Sequence, residues 1–263
     1  MIEKERLKKL AEDPIFISGI YNYCDRWCER CPFTSRCLNF EMSKEEFEDK
    51  EISNPDNKKF WKNLENIFAI THEMLNEMAE EQGIDLSQII ISEEEIKQDK
   101  ERKKSIKKNL SAISSKAYTE MAEKWFNSSE KIIKAKEDEL NLQLTLNLPS
   151  SEPKQVAVTL KDAIEVITYY LFFIQVKIMR ALDGKTRDLP EILYEFPKDS
   201  DGSAKIALIA IDRSISAWGT FLKYLPDGED EILKILVHLE QLRRSVESAF
   251  PDARDFIRPG FDQ

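Results

Sequence analysis

The sequence predicts a mainly α-helical protein, and three observations support this fold class. Only 7 of the 263 residues are glycine, which disfavours the turn-dense all-β folds. Apolar residues recur at helical spacing along most of the chain. In addition, 33% of the residues are charged, as the outer faces of long amphipathic helices require. We therefore expect a bundle of five or six helices, preceded by a small N-terminal cysteine-rich module that binds a metal.

The predicted module covers residues 1–55, and the predicted helical bundle covers residues 56–263. Within the module, Ser43 and Glu46 stand in the S-x-x-E order of a capping box, which predicts the start of a short acidic helix. The sequence Asn-Pro-Asp at 54–56 is typical of a turn and ends the module.

The first half of the bundle is predicted to contain three helices. Apolar residues at helical spacing predict the first helix over 58–82. Ser92 and Glu95 form a second capping-box pattern, which predicts a long helix over 93–126. The third helix is predicted over 130–148, where its last residues alternate in polarity and could instead form a brief strand.

The second half of the bundle follows a proline-bounded linker at 149–153. The two most apolar helices are predicted over 154–182 and 203–225, and we expect them to pack together because a helix that is apolar on nearly all sides needs neighbours around it. A final amphipathic helix is predicted over 229–250. The tail at 250–263 is rich in aromatic residues, so we expect it to dock back on the bundle.

Composition and charge exclude several classes of partner. The formal net charge is −10, so binding to a phosphate backbone would need a strongly local basic face. The N-terminus is charged and lacks the apolar core of a signal peptide, and the most apolar run, 166–176, is well short of the ~20 residues that span a bilayer. We expect a cytoplasmic protein that binds neither nucleic acid nor membrane. A protein partner is possible, and the oligomeric state is open.

All four cysteines lie in one short stretch, CDRWCERCPFTSRC, with the spacing C-x3-C-x2-C-x5-C. In a reducing compartment, close cysteines are more often metal ligands or redox groups than disulfides. On a helix, Cys24, Cys28 and Cys31 would form one stripe, and the break at Pro32 would let Cys37 return to it. Alternatively, Cys28 and Cys31 form a C-x-x-C knuckle on a turn.

The spacing favours iron–sulfur ligation over zinc. Four cysteines in one run, with a proline after a ligand, are typical of cluster sites, whereas structural zinc sites usually join two separated knuckles. We predict that the four cysteines bind a 4Fe-4S cluster, with Zn2+ as the alternative; redox thiols and buried core cysteines are the remaining interpretations. Five aromatic residues that could exclude water and three arginines that could offset the cluster's charge surround the motif: Tyr21, Tyr23, Trp27, Phe33, Phe40, Arg26, Arg30 and Arg36.

The first three cysteines also resemble a known motif. Cys24, Cys28 and Cys31 are similar to the C-x3-C-x2-C motif of radical S-adenosylmethionine enzymes, in which three cysteines hold a 4Fe-4S cluster and leave one iron open. The resemblance covers eight residues and implies an α/β barrel with the motif after its first strand. The rest of this chain lacks an alternating strand and helix pattern, and Cys37 would close the open iron.

A second candidate site lies between the two most apolar helices. Charged and aromatic side chains there could line a polar pocket that binds a small ligand as a cofactor-binding site; they are Glu165, Tyr169, Asp212, Arg213 and Trp218. The alternative is that the charges on these helices, which include Arg180, form inter-helix salt bridges that fix the register.

Three functions are consistent with these patterns. The first is an iron–sulfur protein that acts in electron transfer or redox sensing. The second is a zinc-stabilised, non-catalytic helical module that binds a partner protein. The third is an enzyme whose pocket lies between the two apolar helices. The sequence contains no nucleophile triad and no glycine-rich phosphate loop, so it assigns no reaction.

Overall fold

The computed structural model describes residues 4–47, 56–86, 92–146, 152–187 and 198–262. These residues form nine α-helices and no strand, which confirms the mainly α fold class. The predicted number of five or six bundle helices is wrong, since seven described helices lie beyond residue 56. No helix among the described residues combines the length and the apolar character needed to cross a membrane.

The helices follow one another along the chain as follows: α1 Lys4–Glu12, α2 Leu38–Phe47, α3 Lys58–Glu81, α4 Glu93–Lys107, α5 Leu110–Ser128, α6 Glu130–Leu146, α7 Pro153–Lys185, α8 Asp199–Tyr224 and α9 Glu229–Ala249. They fall into two compact units. One, here called the cysteine unit, comprises Met1–Lys97 together with Ile257–Gln263; the other, the bundle unit, comprises Gln98–Phe256. The predicted turn at 54–56 and linker at 149–153 lie largely outside the described residues.

The core of the bundle unit forms around α7 and α8. These two helices make the most extensive helix contact of the unit, as predicted from their apolar character, and α5, α6 and α9 pack around them. Side chains such as Ile174 and Ile178 on α7 and Leu208 and Ile211 on α8 are completely buried. A helix with apolar residues on nearly all sides is stable here because neighbouring helices surround it.

One predicted helix is divided in the structure. The segment predicted as one helix over 93–126 forms α4 and α5, because Asn109 begins a new helix. Its side-chain carbonyl oxygen accepts a hydrogen bond from the backbone N–H of Ser111 at 2.9 Å, which is the geometry of an N-cap. The segment contains no glycine or proline at this point, so helical spacing alone did not mark the break.

The two predicted capping boxes have different outcomes. The box at Ser92 is confirmed: the Ser92 hydroxyl accepts from the backbone N–H of Glu95 at 3.2 Å, and the Glu95 carboxylate accepts from the backbone N–H of Ser92 at 2.7 Å. The box at Ser43 is wrong, because α2 begins earlier, at Leu38. Ser43 lies inside the helix, where its hydroxyl donates to the carbonyl oxygen of Asn39 at 2.7 Å.

The C-terminal tail divides between the two units. Phe250 and Phe256 are buried in the bundle unit, as expected for a tail that docks on the bundle. The residues from Ile257 onward belong to the cysteine unit instead, where they pack against residues near the first cysteine. The prediction that the whole tail docks on the bundle is therefore only partly right.

Candidate metal centre

The cysteines lie on a series of short turns and not on a helix. Three 3-10 turns occur in this segment, and each is followed directly by a cysteine: Ile20–Tyr23 before Cys24, Cys28–Arg30 before Cys31, and Thr34–Arg36 before Cys37. The predicted helical stripe of three cysteines is therefore wrong. Backbone geometry explains why, because Arg26, which lies between Cys24 and Cys28, has a positive φ angle of 59°, and this interrupts an α-helix.

Cys28 and Cys31 lie instead on a turn, as the alternative interpretation expected. The backbone N–H of Cys31 donates to the carbonyl oxygen of Cys28 at 3.2 Å, which closes the turn between them. After Pro32 the chain bends, and the backbone N–H of Phe33 donates to the sulfur of Cys31 at 3.4 Å. Backbone N–H groups directed at cysteine sulfur stabilise the thiolate form, which is the form that binds a metal.

Cys24 lies in a similar local environment. Its thiol donates to the carbonyl oxygen of Tyr21 at 3.6 Å, and the backbone N–H of Arg26 hydrogen-bonds to its sulfur. Arg26, with its left-handed backbone, is the central residue of an Asx-type turn, in which the Asp25 carboxylate accepts from the backbone N–H of Trp27 at 3.1 Å. Local side-chain chemistry therefore directs an N–H group towards this sulfur as well.

All four cysteines line one cavity of about 20 Å³. The other side chains around it are mostly apolar or aromatic: Ile20, Tyr21, Asp25, Arg26, Trp27, Phe33, Thr34, Phe40 and Phe261. Each cysteine is half-buried. The turns thus bring into one place four thiols that are spread over the segment, with aromatic rings around them that limit access of water.

The C-terminal segment forms one wall of this cavity. The Phe261 ring packs edge-on against Phe33, with the ring centroids 5.0 Å apart. Gly260 permits this approach: a Cβ atom at this position would lie 2.9 Å from Ile17, and its φ of +76° also favours glycine. An ion pair between Arg258 and Asp262, at 2.7 Å, holds the turn that carries Phe261. Sequence reasoning missed this wall, although the aromatic content of the tail indicated docking.

The surroundings predicted for the cysteines are present in part. Of the five aromatic residues, four line the cavity and Tyr23 does not. Arg26 lines it, whereas the Arg30 guanidinium lies 4.0 Å from the centroid of the Trp27 ring. The Arg36 Nε donates to the carbonyl oxygen of Ile15 at 3.4 Å and so joins the third turn to the residues before the first. Arg26 therefore lies beside the cysteines as predicted, whereas Arg30 and Arg36 make contacts within the loop.

Burial and mutual proximity raise the pKa values of two thiols. For Cys24, burial is the main cause of the raised pKa, and the neighbouring Asp25 and Cys37 add to it. For Cys28, burial again comes first, followed by the charges of Cys24, Cys37 and Cys31. Thiolates close together repel one another, which disfavours the charged form. A bound cation would attract the thiolates and so lower the pKa values again.

The structure does not show a metal-binding module. Within the described ranges, no three side chains of the usual ligand types are arranged so that they could hold a metal ion as they stand. A single zinc ion would need its sulfurs at about 2.3 Å from the metal. The cysteines line the same cavity without this close convergence.

The second predicted site involves residues with different surroundings. Trp218 is fully buried in the bundle core, where its indole N–H donates to the Tyr118 hydroxyl at 3.2 Å. Its ring packs edge-on against Trp125 and Phe221 at centroid distances of 5.2 and 5.4 Å. Burial raises the pKa of Tyr118, so its hydroxyl stays protonated at neutral pH. Trp218 thus belongs to an aromatic cluster of the core.

The charged members of the predicted pocket have protein partners. The Asp212 carboxylate on α8 pairs with Arg254 at 2.7 Å and with Arg243 of α9 at 3.5 Å. Arg213 donates a hydrogen bond to the Tyr170 hydroxyl on α7. These contacts join α8 to its neighbours, as the alternative interpretation of inter-helix salt bridges expects.

The other two residues of the predicted pocket, and Arg180 of the salt-bridge alternative, lie on α7. Glu165 is exposed, and Tyr169 is half-buried with its ring 5.2 Å from that of Tyr170. Arg180 forms a salt bridge with Asp199 at 2.8 Å, which joins α7 to α8. A ligand pocket lined by Glu165, Tyr169, Asp212, Arg213 and Trp218 stays a prediction.

Comparisons of this chain with protein-family models, with curated protein sequences and with solved structures find no match. The α/β barrel that the radical S-adenosylmethionine resemblance implies is not present in the described part of the chain, which contains no strand. The geometry of the cysteine turns is therefore the basis for assigning a function.

Proposed function

We propose that Cys24, Cys28, Cys31 and Cys37 bind a 4Fe-4S cluster and that the protein acts in electron transfer or redox sensing. One observation carries the proposal: four thiols and five aromatic side chains line the same cavity. Thiolate ligands with few water molecules around them suit a cluster, because exposed sulfide is lost to solvent and oxygen. In electron transfer a partner protein would supply or remove one electron.

Several features support a cluster over a single ion. A cubane binds each cysteine at a different iron corner, so its ligands need not converge as closely as those of one zinc ion. The N–H group that Phe33 directs at the Cys31 sulfur is a type of contact that tunes cluster potentials. Each cysteine is half-buried, so a cluster bound there would lie near the protein surface, where a partner can approach.

Zinc is the second candidate, and one observation favours it. The cavity volume of about 20 Å³ is close to the space that one water-sized particle occupies. A single ion would therefore fit into this space without widening the cavity, as a cluster would not. In that case the metal stabilises the loop, and the protein is a non-catalytic interaction module.

Purification without oxygen tests the proposal. Cluster-loaded protein should be brown, absorb broadly at roughly 400 nm and contain about four iron atoms per chain. Colourless protein with about one zinc per chain would select the second candidate. Protein that takes up neither metal, even after reconstitution with iron and sulfide under reducing conditions, would contradict both.

The aromatic wall formed by the C-terminal segment should control how long the metal is retained. Replacing Phe261 with alanine removes the edge contact with Phe33 and opens the cavity. We expect metal loss to a chelator to accelerate about tenfold, the lower range for changes beside metal ligands. The matched control is Ile257→Ala, a side chain in the same segment that is 58% exposed. Equal loss rates for the two variants would show that the wall has no such role.

A further inference from the structure

The turn from Cys28 to Cys31 has a cysteine at each end. Residues Cys28–Arg30 form a 3-10 turn, and the backbone N–H of Cys31 donates to the carbonyl oxygen of Cys28 at 3.2 Å. Side chains three residues apart on such a turn lie on the same side, and a rise of about 2.0 Å per residue places their Cα atoms about 6 Å apart. Disulfides join residues whose Cα atoms are roughly 4.4–6.8 Å apart. The backbone of this turn therefore suits a disulfide between Cys28 and Cys31.

Cys24 and Cys37 lie outside this turn. The left-handed backbone of Arg26 separates Cys24 from it. Cys37 ends a different turn, in which its backbone N–H donates to the carbonyl oxygen of Thr34 at 3.3 Å. Among the hydrogen-bonded turns described over 19–37, the turn at 28–31 is the one with cysteines at both ends. Local geometry therefore favours this pair over a pair that includes Cys24 or Cys37.

A disulfide at this turn would suit reversible oxidation. It would close a loop with two residues between the cysteines, and the stabilisation that a disulfide gives to a fold decreases as its loop becomes shorter. Both cysteines are half-buried, so small thiols and disulfides can reach them. Accessible disulfides are typically regulatory, because thiols reduce them again readily.

The same two sulfurs cannot bind a metal and form a disulfide at once. A cysteine binds a metal as its thiolate, and a disulfide leaves neither sulfur with that charge. With Cys28 and Cys31 joined, two of the four proposed ligands remain. The disulfide also needs only two sulfurs to meet, whereas no three side chains of the described residues are arranged to hold a metal ion as they stand.

We propose that Cys28 and Cys31 form a reversible disulfide in the metal-free protein and that this disulfide blocks metal binding. The blocking step rests on the proposed four-cysteine centre, whereas the disulfide itself does not. An oxidant would thereby convert the site from a form that binds metal into a form that does not. The loss of metal binding is a response that a redox sensor requires.

The oxidant in this proposal is a small-molecule disulfide such as oxidised glutathione. One thiolate of the pair attacks the glutathione S–S bond, forms a mixed disulfide and releases one glutathione thiolate. The other thiolate then attacks the protein sulfur of the mixed disulfide and releases the second glutathione thiolate. The two cysteines lose two electrons and two protons, and both electrons and both protons pass to the two glutathione molecules.

Disulfide mapping of the metal-free protein tests the proposal. Trypsin cleaves after Arg26, Arg30 and Arg36, so each cysteine lies on a separate peptide and the proposed disulfide joins 27–30 to 31–36. Protein stripped of metal by a chelator is equilibrated with mixtures of reduced and oxidised glutathione, and its free thiols are then alkylated. We expect this one link under oxidising conditions and its loss in reduced glutathione. A chain that stays reduced in oxidised glutathione alone, carries only glutathione adducts or joins another pair would overturn the proposal.

Two serine variants test whether the turn selects the pair. In Cys31→Ser the link is lost, and a glutathione adduct should accumulate at Cys28 because the thiol that displaces glutathione has been removed. The matched control is Cys37→Ser, which should form the same link as the wild type. If Cys28 of the Cys31→Ser variant joined Cys24 or Cys37 as readily as it joins Cys31 in the wild type, the turn would not select the pair and the proposal would be wrong.

Zinc uptake tests the blocking step. Zinc alone is the probe, because reconstitution with iron and sulfide uses reductants that would open the disulfide. Oxidised protein should bind at least about tenfold less zinc than reduced protein, since changes beside a metal ligand already cost that much, and dithiothreitol should restore the binding. Equal zinc uptake by the two forms would overturn the blocking step. The proposed function fails instead in the anoxic reconstitution described above, so the two failures are distinguishable.

Discussion

Replacing Cys28 with serine is expected to lower the bound metal, whether iron or zinc, at least about tenfold relative to the wild type. Cys28 lies at the start of the C-x-x-C turn and lines the same cavity as the three other cysteines. A cysteine binds the metal as its thiolate, whereas a serine hydroxyl does not ionise near neutral pH. Metal analysis and absorption at roughly 400 nm after anoxic reconstitution measure the loss.

Two further variants make this experiment selective. Ser35→Ala changes an exposed side chain in the same loop that does not line the cavity, so its metal content should equal that of the wild type. The variant Cys37→Ser distinguishes a centre with four cysteine ligands from one with three. If this variant retained the metal while Cys24→Ser, Cys28→Ser and Cys31→Ser lost it, the proposed four-cysteine centre would be wrong and the three-cysteine pattern would apply.

The cysteine segment shows what sequence spacing can and cannot predict. Spacing alone indicated that the four cysteines act together, and they do line one cavity. It left helix and turn open, because both bring Cys28 and Cys31 to the same side of the chain. A helix that runs from Cys24 to Cys31 does not form, because Arg26 adopts a positive φ angle. The positive φ of Arg26 depends on the local Asx-type turn at Asp25, which hydrophobic periodicity does not report.

The wall formed by Phe261 illustrates a different limit. A contact between residues 33 and 261 joins opposite ends of the chain, and no local pattern encodes it. The aromatic tail showed that the segment must be buried somewhere, but many apolar surfaces could receive it. Gly260 was the more specific signal, because a glycine between proline and phenylalanine in a docked tail is consistent with close backbone approach.

The bundle unit was more predictable because its helices are long and strongly patterned. The predicted helices at 130–148, 154–182, 203–225 and 229–250 correspond to α6, α7, α8 and α9. Their burial follows from the same apolar periodicity that located them. The role of individual polar residues was not predictable in this way, since a tryptophan or an aspartate on an apolar helix fits a ligand pocket and a structural contact equally well. Only the contacts of Asp212 and Trp218 distinguish these roles.

Replacing Trp218 with alanine is expected to destabilise the bundle unit by about 3–5 kcal/mol, the range for removing a fully buried large aromatic side chain. Its ring contacts Trp125 and Phe221, so truncation leaves a cavity at the centre of the aromatic cluster. It also removes the indole N–H that donates to the buried Tyr118 hydroxyl. Denaturant unfolding followed by near-ultraviolet circular dichroism measures the loss of this packing.

Two comparison variants separate the contributions to that loss. Trp218→Phe keeps much of the aromatic volume and removes the hydrogen bond to Tyr118, so it should cost about 1–3 kcal/mol. Phe172→Ala removes an aromatic side chain of the same helical unit that is 57% exposed, and it should change stability by less than about 0.5 kcal/mol. If Trp218→Ala were no more destabilising than Phe172→Ala, the ring would not be a core residue. The predicted ligand pocket would then be the better account of Trp218, because a side chain kept for binding need not stabilise the fold.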